Sequence, residues 1–216
     1  MVQVKKASVR EAILESAFRL FSERGYTAST LTQIAESAGV STANVYVYFK
    51  SKLEIVFSIY GPWFRERLDR LEKDALRIAD PRKRLRYIMM ALWREIPAEN
   101  GGFAKNLMQA LASATAEDRY DPVVLEAGKE KVAGMIQAAL QQAGRPPLNA
   151  AALAHVIFMA FDGFALHVSL DSGSACSSAM VEAFCDLLMP KDGAERARPQ
   201  PVRTPRRTRL SSANIP

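Results

Sequence analysis

Apolar residues in this chain recur at helical spacing nearly throughout, and the two-residue alternation of a strand is almost absent. Leu14, Ala17, Phe18 and Phe21 form an i, i+3, i+4, i+7 stripe that Gly25 closes. Leu31, Ile34, Ala35 and Ala38 repeat that spacing up to Gly39, and Ser41 then caps a short third helix carrying Val45 and Phe49. Three capping boxes are legible: Ser8 with Glu11, Thr30 with Gln33, and Ser51 with Glu54. A longer helix is expected from 52 towards 78, kinked or broken at Gly61-Pro62. Asp80-Pro81 and Asp121-Pro122 each read as a cap followed by proline at the first helical position, opening helices to about 96 and 144. Further helices are expected at 103–114, 149–170 and 177–188.

The pattern predicts an all-α protein. A three-helix domain (1–50) precedes a larger helical domain (51–190), and a basic, Pro/Arg-rich tail (191–216) has too few apolar residues to fold. Composition narrows the class. Hydrophobic residues are 49% and charged ones 24%, an ordinary globular balance. The most apolar stretch, 148–170, is interrupted by His155, Asp162 and His167, which argues against a membrane span. The first residues lack an apolar secretory segment, and two cysteines make no disulfide framework, so a cytoplasmic protein is expected. The net charge of +6 sits mostly in the tail: residues 191–216 hold 7 Lys/Arg against 2 Asp/Glu. A high isoelectric point is therefore poor evidence for nucleic-acid binding by the folded part.

The segment 31–52 is more informative. Ala35 is small where a second helix must cross, Gly39 supplies a left-handed turn, and Val40 and Val45 pin two helices to a shared core. That is the requirement of a helix-turn-helix whose second helix enters the DNA major groove. Over Gly25-Tyr26, Ser29-Thr30, Ile34-Ala35, Ala38-Gly39-Val40-Ser41, Tyr46, Tyr48-Phe49 and Ser51-Lys52, the chain resembles the DNA-binding domain of the TetR family of bacterial transcriptional regulators.

The resemblance implies a homodimeric regulator, most often a repressor, that binds a palindromic operator in double-stranded DNA and is released by a small effector. Its DNA-binding residues would be Thr30, Ser41, Thr42, Ala43, Asn44, Tyr46, Tyr48 and Lys52, with Lys52 at the position of the family's phosphate-contacting lysine. The third helix carries no charged side chain, so the bidentate arginine–guanine contact is not available to it. Asn44 is suited to adenine, Thr42 and Ala43 to thymine methyls, and phosphate and shape readout should contribute much of the affinity. Lys5, Lys6 and Arg10 form either a DNA-contacting basic arm or a solvated terminus, and the tail either attaches to DNA or is a solvated extension.

The resemblance also implies an effector pocket in the second domain, for which Tyr60, Trp63, Phe64, Met90, Trp93, Phe103 and Met108 are candidates, suited to an apolar ligand. Most of these side chains should equally be core. The late helices, 149–188, are apolar over too wide an arc for solvent-facing helices and should form a four-helix dimer interface. No catalytic constellation, cofactor motif or metal-ligand spacing is visible, and His155 is read as a buried structural histidine. Two other readings stay open: a DNA-binding regulator controlled by a protein partner, and a helical ligand-binding protein whose helix-turn-helix is vestigial.

Overall fold

Two glycines in left-handed backbone divide the first fifty residues into a three-helix head. The structure is a computed structural model that describes residues 2–99, 103–118, 122–146, 149–167 and 176–190. Helix α1 (Val2–Arg24) stops at Gly25, φ +84°, and α2 (Leu31–Ser37) turns into α3 (Thr42–Tyr48) through Gly39, φ +69°. A side chain in that region costs about 1–2 kcal/mol. At the start of α2 both halves of the capping box form: Thr30 Oγ1 accepts from the Gln33 N–H at 3.2 Å, and Gln33 Oε1 accepts from the Thr30 N–H at 2.9 Å. Ser51 also caps, accepting from the Glu54 N–H at 3.2 Å, but the Glu54 carboxylate accepts from the Lys50 N–H instead of closing the box.

Two expectations for α1 need correction. The helix begins six residues before Ser8, so Ser8 is interior and no box with Glu11 starts the helix. The buried stripe is Ile13, Ala17, Leu20 and Phe21, whereas Leu14 is half-buried and Phe18 is 37% exposed. Lys5, Lys6 and Arg10 are part of this helix, and the Arg10 guanidinium lies 5.1 Å from the Phe49 ring centroid.

The body begins with α4 (Lys52–Ala75), which runs unbroken through Gly61-Pro62. The proline removes one helical donor, but Tyr60, Gly61 and Phe64 are buried around it, and tertiary packing holds the helix across the gap. Asp80 caps α5 (Pro81–Met90) by accepting from the Lys83 N–H at 2.8 Å. The helix then widens into a π-helical turn, Ala91–Glu95, before the short α6 (Ile96–Ala98). Within the wide turn Trp93 is buried, and its indole N–H donates to the Ile157 carbonyl at 3.1 Å. Helix α7 (Phe103–Ala112) is followed by a 3-10 turn (Ala116–Asp118), α8 (Val123–Gln142), α9 (Ala150–His167) and α10 (Ser178–Leu188). The expected cap at Asp121, the expected end of α9 at 168–170 and the tail 191–216 lie outside the described residues.

One contiguous apolar core runs from Ile13 through Tyr60, Phe64, Phe103 and Phe158 to Met189, joining head and body. Helix α9 packs on α8 and α7, and α10 packs on α5. A Cβ on Gly128 of α8 would stand 2.9 Å from the Phe64 ring, so the missing side chain is what lets α8 approach α4. Arg82 pins α10 to α5 through the Met189 carbonyl (2.8 Å), Glu182 (3.0 Å) and Asp186 (2.6 Å). By length and composition α9 is apolar enough to cross a membrane, yet its Ile157, Phe158 and Phe161 face the core and Asp162 interrupts it.

Candidate nucleic-acid interface and effector region

In the head, packing fixes α3 from one side and leaves the other open. Ile34, Ala35, Val45 and Phe49 are buried, Val40 and Tyr48 pack partly against them, and Ala43, Tyr46 and Val47 point outward. Phe49 is thus a core residue. Ser41, with its side chain exposed, accepts from the Asn44 N–H at 3.1 Å, which leaves its own hydroxyl proton free for a phosphate oxygen. Thr30 is placed alike at the start of α2. Thr42 and Asn44 are half-exposed. The two tyrosines differ: Tyr46 is 56% exposed, whereas Tyr48 is half-buried against the core, so they do not extend one equally open face. Val47, 71% exposed and four residues after Ala43, was not singled out from the sequence. A large apolar side chain left in water on this face was the signal available, since it fills no core position.

Lys52 sits at the edge of this surface and is engaged from within. Its ammonium donates to the carbonyls of Tyr26 and Ser29, at 2.9 Å each, and lies 4.0 Å from the Tyr26 ring centroid. Partial burial draws its pKa below the usual lysine value. Lys52 therefore secures the turn between α1 and α2 in the protein alone. Ser29, fully buried, completes that turn by donating to the Leu20 and Gly25 carbonyls.

In the body, the seven candidate effector residues separate into distinct places. Tyr60, Trp63, Phe64 and Phe103 form one aromatic cluster, with ring centroids 5.1 Å apart for Tyr60–Phe64 and 6.1 Å for Trp63–Phe103. Phe158 and Phe161 of α9 close it against Phe64. Met108, 9% exposed, belongs to the same core. Trp93 packs elsewhere, on Phe164 and Phe184 of α9 and α10. Met90 lines a third place, an open cleft of about 700 Å³ between α5 and α10, with Tyr87, Arg82, Arg86, Glu95 and Glu182.

Two groups in this region are electrostatically unusual. The Tyr60 hydroxyl is buried with no hydrogen-bond partner, and burial raises its pKa, with Asp162 adding to the shift. Burial likewise pushes Asp162 up to about 6, against the opposing influence of Lys129. Among the described residues, no group of three or more His, Cys, Asp or Glu side chains is arranged to hold a metal. His155 and His167 are both exposed, contrary to the buried role expected for His155. Cys176 and Cys185 are buried.

With this geometry in place, residues 13–59 match the family described as bacterial regulatory proteins, tetR family. These residues, α1 from Ile13 through the start of α4, thus match an amino-terminal domain of the TetR type. The HTH-type transcriptional repressor BepR of Brucella suis is 48% identical over 59 residues, which are 27% of this chain and 28% of that protein. The fatty acid metabolism regulator protein of Bacillus subtilis is 30% identical over 77 residues, covering 36% and 40% of the two chains. The chain thus spans less than half the length of these curated relatives. The solved structure of the transcriptional regulator FadR from Bacillus subtilis, in complex with stearoyl-CoA, superposes with a TM-score of 0.63 at 20% identity, covering 83% of this chain and 97% of that one. At that identity the likeness is one of fold, over the share of the chain that it covers.

Proposed function

We propose that the chain is a cytoplasmic, bacterial DNA-binding transcriptional regulator, a repressor that sits on a palindromic operator as a homodimer and leaves it when a small, largely apolar effector binds the body. The single observation that carries this reading is the outer surface of α3. Ala43, Tyr46 and Val47 project from a helix whose inner face is fixed by Val45 and Phe49, flanked by hydroxyls at Thr30 and Ser41. Such a surface suits a major groove, where apolar groups meet thymine methyls and hydroxyls meet phosphates. Thr42, Asn44, Tyr48 and Lys52 complete the proposed contact set, Lys52 by exchanging a carbonyl for a phosphate oxygen or by holding the turn that presents Thr30.

Dimerisation through α9 and α10 is supported by what those helices leave in water: Val156, Met159 and Leu166 on α9, and Met180 and Leu187 on α10, between 45% and 79% exposed. A second copy placed on this face would bury them and would set two heads at a fixed spacing. Effector binding is supported by the aromatic cluster around Tyr60, where an unpaired hydroxyl within an apolar wall offers one polar anchor. A ligand can release DNA only through unequal affinity for the two spacings of the heads.

Selection of bound sites from random duplex DNA by the purified protein tests this reading. A consensus with two inverted half-sites about one helical turn apart supports it. Binding without sequence preference, rising steeply as salt falls, rejects sequence-specific regulation.

A further inference from the structure

Polar side chains buried within an apolar helical face are uncommon and need a reason. Asn106 is such a side chain. It lies on α7 between Phe103 and Ala110, is 6% exposed, and points across to the head. Its Oδ1 accepts from the Tyr26 N–H at 2.8 Å, and its Nδ2 donates to the Phe21 carbonyl at 3.0 Å. One amide thus spans the end of α1 and the first residue after Gly25. Tyr26 is held on its other side as well, its carbonyl accepting from Lys52.

The segment after Asn106 continues along the same junction. Gln109 Oε1 lies 3.5 Å from where a Cβ on Gly25 would stand, the Tyr26 hydroxyl meets Ser113, and the Asp118 carboxylate meets Ser51 at the cap of α4. The opposite end of α7 reaches the aromatic cluster: Phe103 makes an edge contact with Phe18 of α1 at 5.3 Å and lies 6.2 Å from the Tyr60 ring centroid. Helix α7 therefore joins the Tyr60 cluster, through Phe103, to the turn that leads directly into Thr30 and α2, through Asn106.

We infer that Asn106 is a positioning residue for the reading head: its buried amide fixes the α1–α2 turn to α7, and so transmits the position of α7 to the helices proposed to read DNA. The inference rests on the DNA-binding reading only for its consequence at the operator; the coupling itself is a property of the protein alone.

Reciprocity of linkage supplies the test, because DNA bound at the head must then alter α7. Amide hydrogen exchange is measured on the full chain with and without a duplex selected by the wild-type protein. In the wild type, the duplex slows exchange at Tyr26 and along α7 by at least about threefold. Asn106→Leu keeps the shape and removes both hydrogen bonds; it is expected to bind duplex more weakly and to lose the α7 response. Asn106→Asp retains the acceptor for Tyr26 and should keep part of the response, which also guards against a Leu variant that fails to fold. An undiminished α7 response in both variants, or none in the wild type with duplex bound, overturns the inference. If no duplex is bound at all, the DNA-binding reading falls by itself, and Phe103→Ala decides the coupling without DNA. Faster exchange at Tyr26 in the wild-type background, but not beside Asn106→Leu, upholds it; an unchanged Tyr26 amide rejects it.

Discussion

In the head, two helices of seven residues each are held by four buried side chains, a side-chain cap at each start and glycine turns at φ +84° and +69°. In the body, α4, α8 and α9, of 24, 20 and 18 residues, meet through aromatic rings and one missing Cβ. Short helices do not persist alone in water, so the head depends on local chemistry at each terminus together with a small core. Long helices need no such help, and their arrangement depends on which large side chains meet. The division matches the work proposed for each part. A reading surface must be held rigidly so that Ala43, Tyr46 and Val47 keep one orientation. An effector region built of rings can rearrange by sliding them past one another.

The comparison can be strained from either side. The largest effect should come from Phe49→Ala, which empties the centre of the head at a cost of about 3–5 kcal/mol. Both tryptophans, Trp63 and Trp93, lie in the body, so their fluorescence reports the body while circular dichroism reports both parts. Helix signal should be lost at lower urea than tryptophan fluorescence changes; coincident transitions at the wild-type midpoint would show that the head is not held as described.

Gly128→Ala presses on the other side. A methyl 2.9 Å from the Phe64 ring must displace α8 or the ring, at about 1–3 kcal/mol. The fluorescence-detected urea midpoint should fall, and a variant at least as stable as the wild type would mean the α4–α8 contact is loose.

Asp162 adds a pH dependence that belongs to the body. Burial holds its folded pKa near 6, above the usual 3.8, so the folded chain favours the protonated acid. The penalty is absent below the ordinary value, grows as pH rises through 6 and is complete above it. Asp162→Asn should therefore stabilise the protein at pH 8 by about 1–2 kcal/mol, allowing for solvent screening, and hardly at all at pH 4. Equal stabilisation at both values, measured by urea unfolding, would assign the effect to something other than ionisation.

The smallest effect sharpens the head. Thr30→Ala removes the cap of α2 and should cost about 1 kcal/mol by the same measurement, with Thr30→Ser restoring most of it. No loss in the alanine variant would show that α2 is set by its core contacts alone.

The head was legible in the sequence because its determinants are near neighbours: Thr30 and Gln33, Ser41 and Asn44, Gly25 and Gly39 act within a few residues of themselves. Ser8 misled for the same reason, since a capping pattern inside a helix looks like one at its start. The helices of the body were legible from periodicity, including proline and aspartate at the start of α5. Their mutual placement was not, because a ring's neighbours across the core leave no mark on local spacing. Tyr60, Trp93 and Met90 thus fell into one candidate list although three separate places hold them. Gly61-Pro62 was expected to kink or break α4, and the helix runs unbroken through it, with Tyr60, Gly61 and Phe64 buried. Asn106 carried a signal that local reading passed over, an amide on the apolar stripe of α7; its partners stand 80 and 85 residues away.

Helix α3, which carries no charged side chain, is proposed to read base sequence, and binding of Asn44→Ala to the selected duplex and its single-base variants tests this most directly. The wild type should discriminate at one position in each half-site by about tenfold or more, the loss of one good base contact. Asn44→Ala should flatten that preference while the salt dependence stays unchanged, since Asn44 neutralises no phosphate. An Asn44→Ala protein with the wild-type base preference at every position would contradict direct readout by α3.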